Sequence, residues 1–165
     1  MNGRPMLKLV AEPAEQRPGK LFCGHCAREP ESGPPSMTGS RVCEHCGLGL
    51  LLEANPDMAP TPADPFLVTD AGQSICAVSK AGESLLGVAE PEAVNRHLND
   101  FIVPADLGNP AAYSLSAAIV AAATGASDPI HIAVRPPDTF GVRNWAKIGA
   151  CGPPNGALIV IAAVD

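Results

Sequence analysis

Apolar residues concentrate in the last hundred positions of this chain, and their spacing predicts a definite series of elements. Residues 66–70 (Phe-Leu-Val-Thr-Asp) form a short apolar run that stops at Asp70-Ala-Gly72, a turn signal. A second run covers 74–78, so the two predict a β-hairpin. Ser79 is placed as a helix N-cap with Glu83 beyond it, and Leu85-Leu86-Gly87 closes that short helix. Pro91 opens another short helical turn that ends near His97. Residues 111–124 are Ala-rich, carry Leu115, Ile119 and Val120 on one side and stop at Gly125, which predicts a longer helix. Ile130, Ile132 and Val134 alternate with His131, Ala133 and Arg135, the pattern of a half-buried strand. A further strand is expected over 142–150. The continuous apolar run 157–164 suits a central strand covered on both faces. Two strands, a helical block and three strands predict an α+β domain with an antiparallel sheet.

Ahead of this part the patterning is weaker. Residues 1–20 are polar and Pro-bearing and read as a flexible tail; 21–53 carry four of the six cysteines; 54–63, with prolines at 56, 60 and 62, read as a linker. The domain proper is expected over 64–165. Aromatic residues are only 4 % of the 165, so the core must be aliphatic. The net charge is −6, of which −1 falls before Asp64 and −5 from Asp64 onward. Such a balance argues against nucleic-acid binding through a broad basic face. The first ten residues lack the apolar run of a signal peptide, and the stretch 115–123 is too short to span a bilayer. A cytoplasmic location with no membrane association is therefore expected, and there thiols stay reduced.

The cysteines then change the picture. Cys23-Gly-His-Cys26 and Cys43-Glu-His-Cys46 are separated by sixteen residues, the spacing of a structural zinc site. Each CxxC turn can aim two thiolates at one cation, and two turns complete a tetrahedron. A segment this short buries too little surface to fold unaided, so metal would supply the missing stability. The arrangement resembles a zinc ribbon, which implies ligation of structural Zn²⁺ by Cys23, Cys26, Cys43 and Cys46. Four thiolates leave no open position for a catalytic water, so no catalytic residue follows from the site. His25 and His45 are read as solvent-facing turn residues outside the ligand set. Three other readings exist. Cys-Gly-His-Cys is similar to the motif of disulfide-exchange enzymes, but no strand–helix framework surrounds it and no Trp precedes Cys23. Cys43-Glu-His-Cys46-Gly47 is similar to a rubredoxin knuckle, without the aromatic core expected there. Haem attachment would need CxxCH, and Ala27 and Gly47 stand at the required positions.

The larger part has its own resemblance. Asp70-Ala-Gly-Gln-Ser-Ile75, then Leu85-Leu86-Gly87, then Pro91-Glu92-Ala93-Val94-Asn95, then Leu98-Asn-Asp-Phe-Ile-Val-Pro-Ala-Asp106 resemble, in order, the motifs of a PAS domain. Asn95 stands near the position where that family has Gly. The resemblance implies a five-stranded antiparallel sheet with helices on one face and a pocket between them. It also implies a role in sensing a small molecule or in dimerisation. It gives no support to haem or flavin. The stretch 96–101 lacks the reactive cysteine of photoactive flavin-binding members, and 111–124 lacks a histidine for haem. Only His97, before that helix, and His131, on a strand, remain as candidates for an axial ligand. The pocket ligand stays unknown.

Cys76 and Cys151 are expected as small buried hydrophobes in their strands, and Arg143-Asn144-Trp145 as a solvated strand face. No Walker loop, GxSxG, HExxH or HRD-type loop is present. The resulting expectation is a non-enzymatic sensor or adaptor, a homodimer, whose zinc module docks a protein partner. The alternative is a transcription-associated zinc ribbon that contacts nucleic acid or polymerase; it needs a basic face from Arg17, Lys20, Arg28 and Arg41. A thiol redox enzyme using Cys23 and Cys26 is the third reading.

Overall fold

Eight strands, three more than the five expected, join in one antiparallel sheet among the described residues. The computed structural model describes residues 18–35, 39–106, 114–126 and 128–163. Residues 1–17 of the tail expected over 1–20, Arg17 included, lie outside them, as do the first turn of the expected longer helix (111–113) and Val164; Lys20, at the end of that expected tail, begins a strand.

Five strands answer to the apolar runs read from the sequence. They are β3 (Phe66–Thr69), β4 (Ile75–Val78), β6 (Ile130–Arg135), β7 (Asn144–Gly152) and β8 (Gly156–Ala163). The three additional strands are β1 (Lys20–Cys23), β2 (Leu51–Ala54) and the two-residue β5 (Val103–Pro104). The first two come from the cysteine-bearing segment, and β5 pairs with the end of β6. The strand order is β1-β2-β7-β8-β3-β4, with β6 beside the first half of β7. Beyond β6, the far end of the same β7 edge takes β2, through Glu53 opposite Gly152 and Ala54 opposite Cys151. A count of five was too low because the short runs 20–23 and 51–54 show too little alternation to register as strands.

Helices cover one face. Ser79 caps α1 (Lys80–Leu86): its hydroxyl accepts the Gly82 N–H at 2.9 Å, and Gly87 ends the helix at φ +68°. Gly82 is required, because a Cβ there would stand 2.8 Å from the Phe66 carbonyl oxygen. α2 (Glu90–Ala93) has Pro91 in its first turn and is shorter than expected, stopping four residues before His97. Asn95 follows at φ +68°, a left-handed conformation that Asn tolerates better than most residues. A 3₁₀ turn (Leu98–Asp100) leads on to β5. α3 (Leu115–Ala123), capped by Ser114, lies across β7 and β8.

Two apolar layers result. Leu67, Ile75, Ile132, Val134, Ile148, Ile159 and Ile161 face the helices and pack with Leu98, Leu115 and Ile119. Phe66, Val68, Leu158 and Cys151 point the other way, into a second layer with Phe22, Leu52, Ala54 and Met58. β3 and β8 are thus covered on both faces, as the unbroken apolar run of β8 predicts. The linker contributes to the second layer. Met58 is buried against β7 where Gly149 leaves room: a Cβ at Gly149 would come within 2.9 Å of Met58 Cγ. Lys147 Nζ donates to the Asp57 carbonyl beside it.

Candidate metal centre

Each CxxC turn is built the same way. In the first, the Ala27 N–H donates to the Cys23 carbonyl at 3.0 Å, and Ala27 takes a left-handed φ of +61°. In the second, the Gly47 N–H donates to the Cys43 carbonyl at 2.9 Å, with φ +66° at Gly47. The turns lock together: Gly24 N–H donates to the Leu50 carbonyl, and β1 pairs with β2 from Cys23 opposite Leu51. The Cys23, Cys26, Cys43 and Cys46 sulfurs all lie within 4.8 Å of one another. Cys23 Sγ is 3.6 Å from Cys46 Sγ, and Cys26 Sγ is 3.7 Å from Cys43 Sγ. A tetrahedron with Zn–S bonds of about 2.3 Å has edges of about 3.8 Å, so the thiols are already spaced for one ion. They are free thiols and are not joined as disulfides, whose S–S bond is about 2.05 Å. The donor set is soft and fits Zn²⁺.

The thiols differ in acidity. Burial pushes Cys23 well above the ordinary thiol range, against the N–H groups of Cys26 and His25 that donate to its sulfur at 3.4 Å. Burial also raises Cys26. For Cys46, burial acts upward, but the N–H groups of Gly49 and Leu48 and the neighbouring thiols of Cys23 and Cys26 outweigh it and bring it down to about 6.

Gly49 is the residue on which this packing depends. A Cβ there would sit 2.4 Å from Cys23 Sγ and 2.7 Å from the His25 nitrogen. Gly49→Ala is expected to displace the second turn and weaken metal binding at least about tenfold, the order of one lost sulfur hydrogen bond plus strain. Competition against a chromophoric chelator measures it, and unchanged affinity would show that the two turns can move apart freely.

His45 is exposed, as expected. His25 is not: it is 9 % exposed, turned inward against β4, with Nδ1 3.2 Å from the Val78 carbonyl oxygen and 3.5 Å from Glu90 Oε2. The expectation of a solvent-facing turn fails there because the first turn lies against the sheet. No local signal marked this contact, since Val78 and Glu90 are more than fifty residues away.

The other candidates are dispersed. Cys151 is buried, which pushes its thiol up to about 12. Cys76 is exposed, contrary to expectation, at the irregularity where the β3–β4 register shifts. Desolvation and then the charge of Asp70 raise its thiol. His97 is exposed and its Nδ1 accepts the Asn99 N–H; His131 is exposed opposite Lys147. Trp145 is partly exposed, with the Arg143 guanidinium 5.2 Å from its ring and bonded to Asp106 at 2.7 Å. Of the set named for a basic face, Lys20 and Arg28 are exposed; Lys20 pairs with Glu29 at 2.6 Å, and Arg41 donates to the Leu51 carbonyl.

Between the helices and the sheet lies a cavity of about 60 Å³, lined by Leu85, Leu86, Phe101, Ile102, Val134 and Ile161 among others. That is room for about two waters. No helix among the described residues is long and apolar enough to cross a membrane.

The sequence matches no protein-family model and no curated protein. Similar solved structures include the PAS domain of nitrogen regulation protein NR(II) from Vibrio parahaemolyticus. It has a TM-score of 0.46 and 14 % identity, over 62 % of this chain and 90 % of that one. A PAS domain from a Desulfitobacterium hafniense protein has a TM-score of 0.43 and 14 % identity, over 61 % and 92 %.

Proposed function

We propose that this chain is a non-enzymatic cytoplasmic sensor or adaptor. In this reading residues 64–165 form a PAS-like sensing or dimerisation domain. Residues 21–53 form a zinc-ribbon-like module in which Cys23, Cys26, Cys43 and Cys46 hold a structural Zn²⁺ ion. The observation that carries the reading is the convergence of four reduced thiols at tetrahedral spacing, with every position of the shell filled by sulfur. A bound Zn²⁺ would supply cohesion to the module, with no position left for a reacting water.

The chain's own residues do the rest. Val42, Leu48 and Leu50, on and beside the second turn, are apolar and exposed, Leu48 by 69 %, which supports docking of a protein partner there. The PAS-like reading is supported by the motifs in order, by the sequence of hairpin, short helices, longer helix and three strands, and by the left-handed Asn95. The small, mainly apolar cavity supports a pocket filled mainly by side chains, since drug-sized ligands need about 300 Å³ or more.

Native mass spectrometry with elemental analysis of untagged protein tests the proposal. One zinc per chain and a dimer mass are expected, and any retained small molecule would appear as added mass. Absence of metal, with the four cysteines oxidised in pairs, would overturn the zinc reading and favour thiol exchange through Cys23 and Cys26. A monomer mass would remove the dimer from the proposal.

A further inference from the structure

His25 occupies an unusual position for a residue between two metal-ligand candidates. Its main-chain N–H donates to Cys23 Sγ at 3.4 Å, while its carbonyl accepts the N–H of Lys80, the first residue of α1, at 2.9 Å. Its ring nitrogen Nδ1 stands 3.2 Å from the Val78 carbonyl, at the end of β4. The same nitrogen is 3.5 Å from Glu90 Oε2, at the start of α2, and that oxygen accepts the Val78 N–H at 2.8 Å. Glu83 Oε1 in turn accepts the Glu90 N–H at 2.8 Å, closing the chain of bonds from α1 to α2. One residue therefore touches a sulfur of the centre on one side and the starts of two helices on the other. The covalent route through the linker runs some fifty residues longer and passes over the opposite side of β7, through Asp57 and Met58.

We infer that His25 couples occupancy of the four-cysteine site to the β4–α1–α2 junction, so that gain or loss of the metal is felt where the helices over the cavity begin. The inference rests on the proposed metal site. When the four sulfurs are drawn onto one ion, the Cys23–Cys26 turn has a single conformation, which holds the His25 carbonyl and ring against Lys80, Val78 and Glu90. Without the ion the turn keeps its main-chain bonds and the packing of Phe22 and Ala27 in the second layer, but the sulfurs no longer fix it, and its hold on the junction loosens. α1 also supplies Leu85 and Leu86 to the cavity wall, so a shift at Lys80 reaches the cavity through one short helix.

The test is residue-resolved amide hydrogen exchange on the full chain loaded with Zn²⁺, before and after chelation. Exchange at Val78 and Lys80 is expected to rise about tenfold, the order of one net hydrogen bond, while Leu158 and Ile148 in the sheet stay unchanged. In His25→Ala, Co²⁺ should still give a tetrahedral thiolate spectrum, but Val78 should exchange fast with or without metal. His25→Asn, which keeps a donor near the Nδ1 position, should restore the metal-dependent response.

A chain that binds metal, yet exchanges alike at Val78 and Lys80 in both states, overturns the coupling and leaves the metal site standing. A uniform rise that includes Leu158 overturns it too, because the ion would then hold the whole fold. A chain that takes up no metal overturns both readings. Should His25→Ala fail to fold, the wild-type comparison before and after chelation still decides the matter.

Discussion

Cys43→Ser is expected to reduce bound zinc from one ion per chain to near zero and to release the segment around the second turn. The reason lies in what else holds that segment. Apart from the cysteines themselves, its buried apolar contact is Leu51, while Val42, Leu48 and Leu50 face solvent. No hydrophobic core is available to replace the ion. Structural Zn²⁺ in small cysteine modules contributes about 10–16 kcal/mol of apparent binding free energy at neutral pH, and loss of one ligand in four removes a large share of it. The helix-facing layer, built from other residues, should survive. Elemental analysis together with thermal melting followed by circular dichroism checks this. Wild-type zinc content in Cys43→Ser would mean that the four sulfurs are not the ligand set.

The same site should respond to pH. Ligation requires thiolates, and burial holds Cys23 and Cys26 in their protonated form more strongly than free cysteine. Metal binding must therefore expel protons, and apparent zinc affinity should fall as pH falls. Cys46, whose thiol is lowered by the Gly49 and Leu48 N–H groups and the neighbouring thiols against burial, gives up its proton more readily than buried Cys23 and Cys26.

Phe22→Ala is the second substitution with a large expected effect. Phe22 is fully buried in the layer between the cysteine segment and the sheet, and its ring meets that of Phe66 edge-on, with centroids 5.8 Å apart and planes at 83°. Removing a buried Phe side chain costs about 3–5 kcal/mol, through lost transfer energy and the cavity left behind. For a chain of this size, that corresponds to a fall of roughly 10 °C in the melting temperature. Phe140→Ala is the control: its ring is 82 % exposed, and a change within about 0.5 kcal/mol is expected. A Phe22→Ala protein that melts with the wild type would show that the outer layer does not contribute to the cooperative unit.

Much of the helix-covered half was legible in the sequence because its signals are local. The Ser79 cap, the Gly87 stop, the alternation at Ile130, Ile132 and Val134, and the unbroken run of β8 each state their own structure within a few residues. The four cysteines were legible for the same reason, since the spacing within each pair encodes the turn. What stayed hidden was non-local. β1 and β2 are four residues each and take their stability from each other and from β7, so no periodic pattern announces them. The burial of His25 depends on Val78 and Glu90, and the exposure of Cys76 on a shift in register between β3 and β4. The continuous apolar character of β8 did predict a covering for its second face, but the sequence offered no local sign that Phe22, Leu52 and Met58 would supply it.

The pairing of β2 with the far end of β7 bears on the order in which the chain assembles. Glu53 finds Gly152 across about a hundred intervening positions, and pairings of that separation form late because the loop must first close. During synthesis the two cysteine turns leave the ribosome long before their sheet partner exists. Phe22, Leu52 and Met58 would then have nothing to bury against until β3, β7 and β8 have followed. The centre joins residues only about twenty positions apart, so it can close first. The earliest ordered part of this protein would then be the one gathered around four thiols rather than around a core.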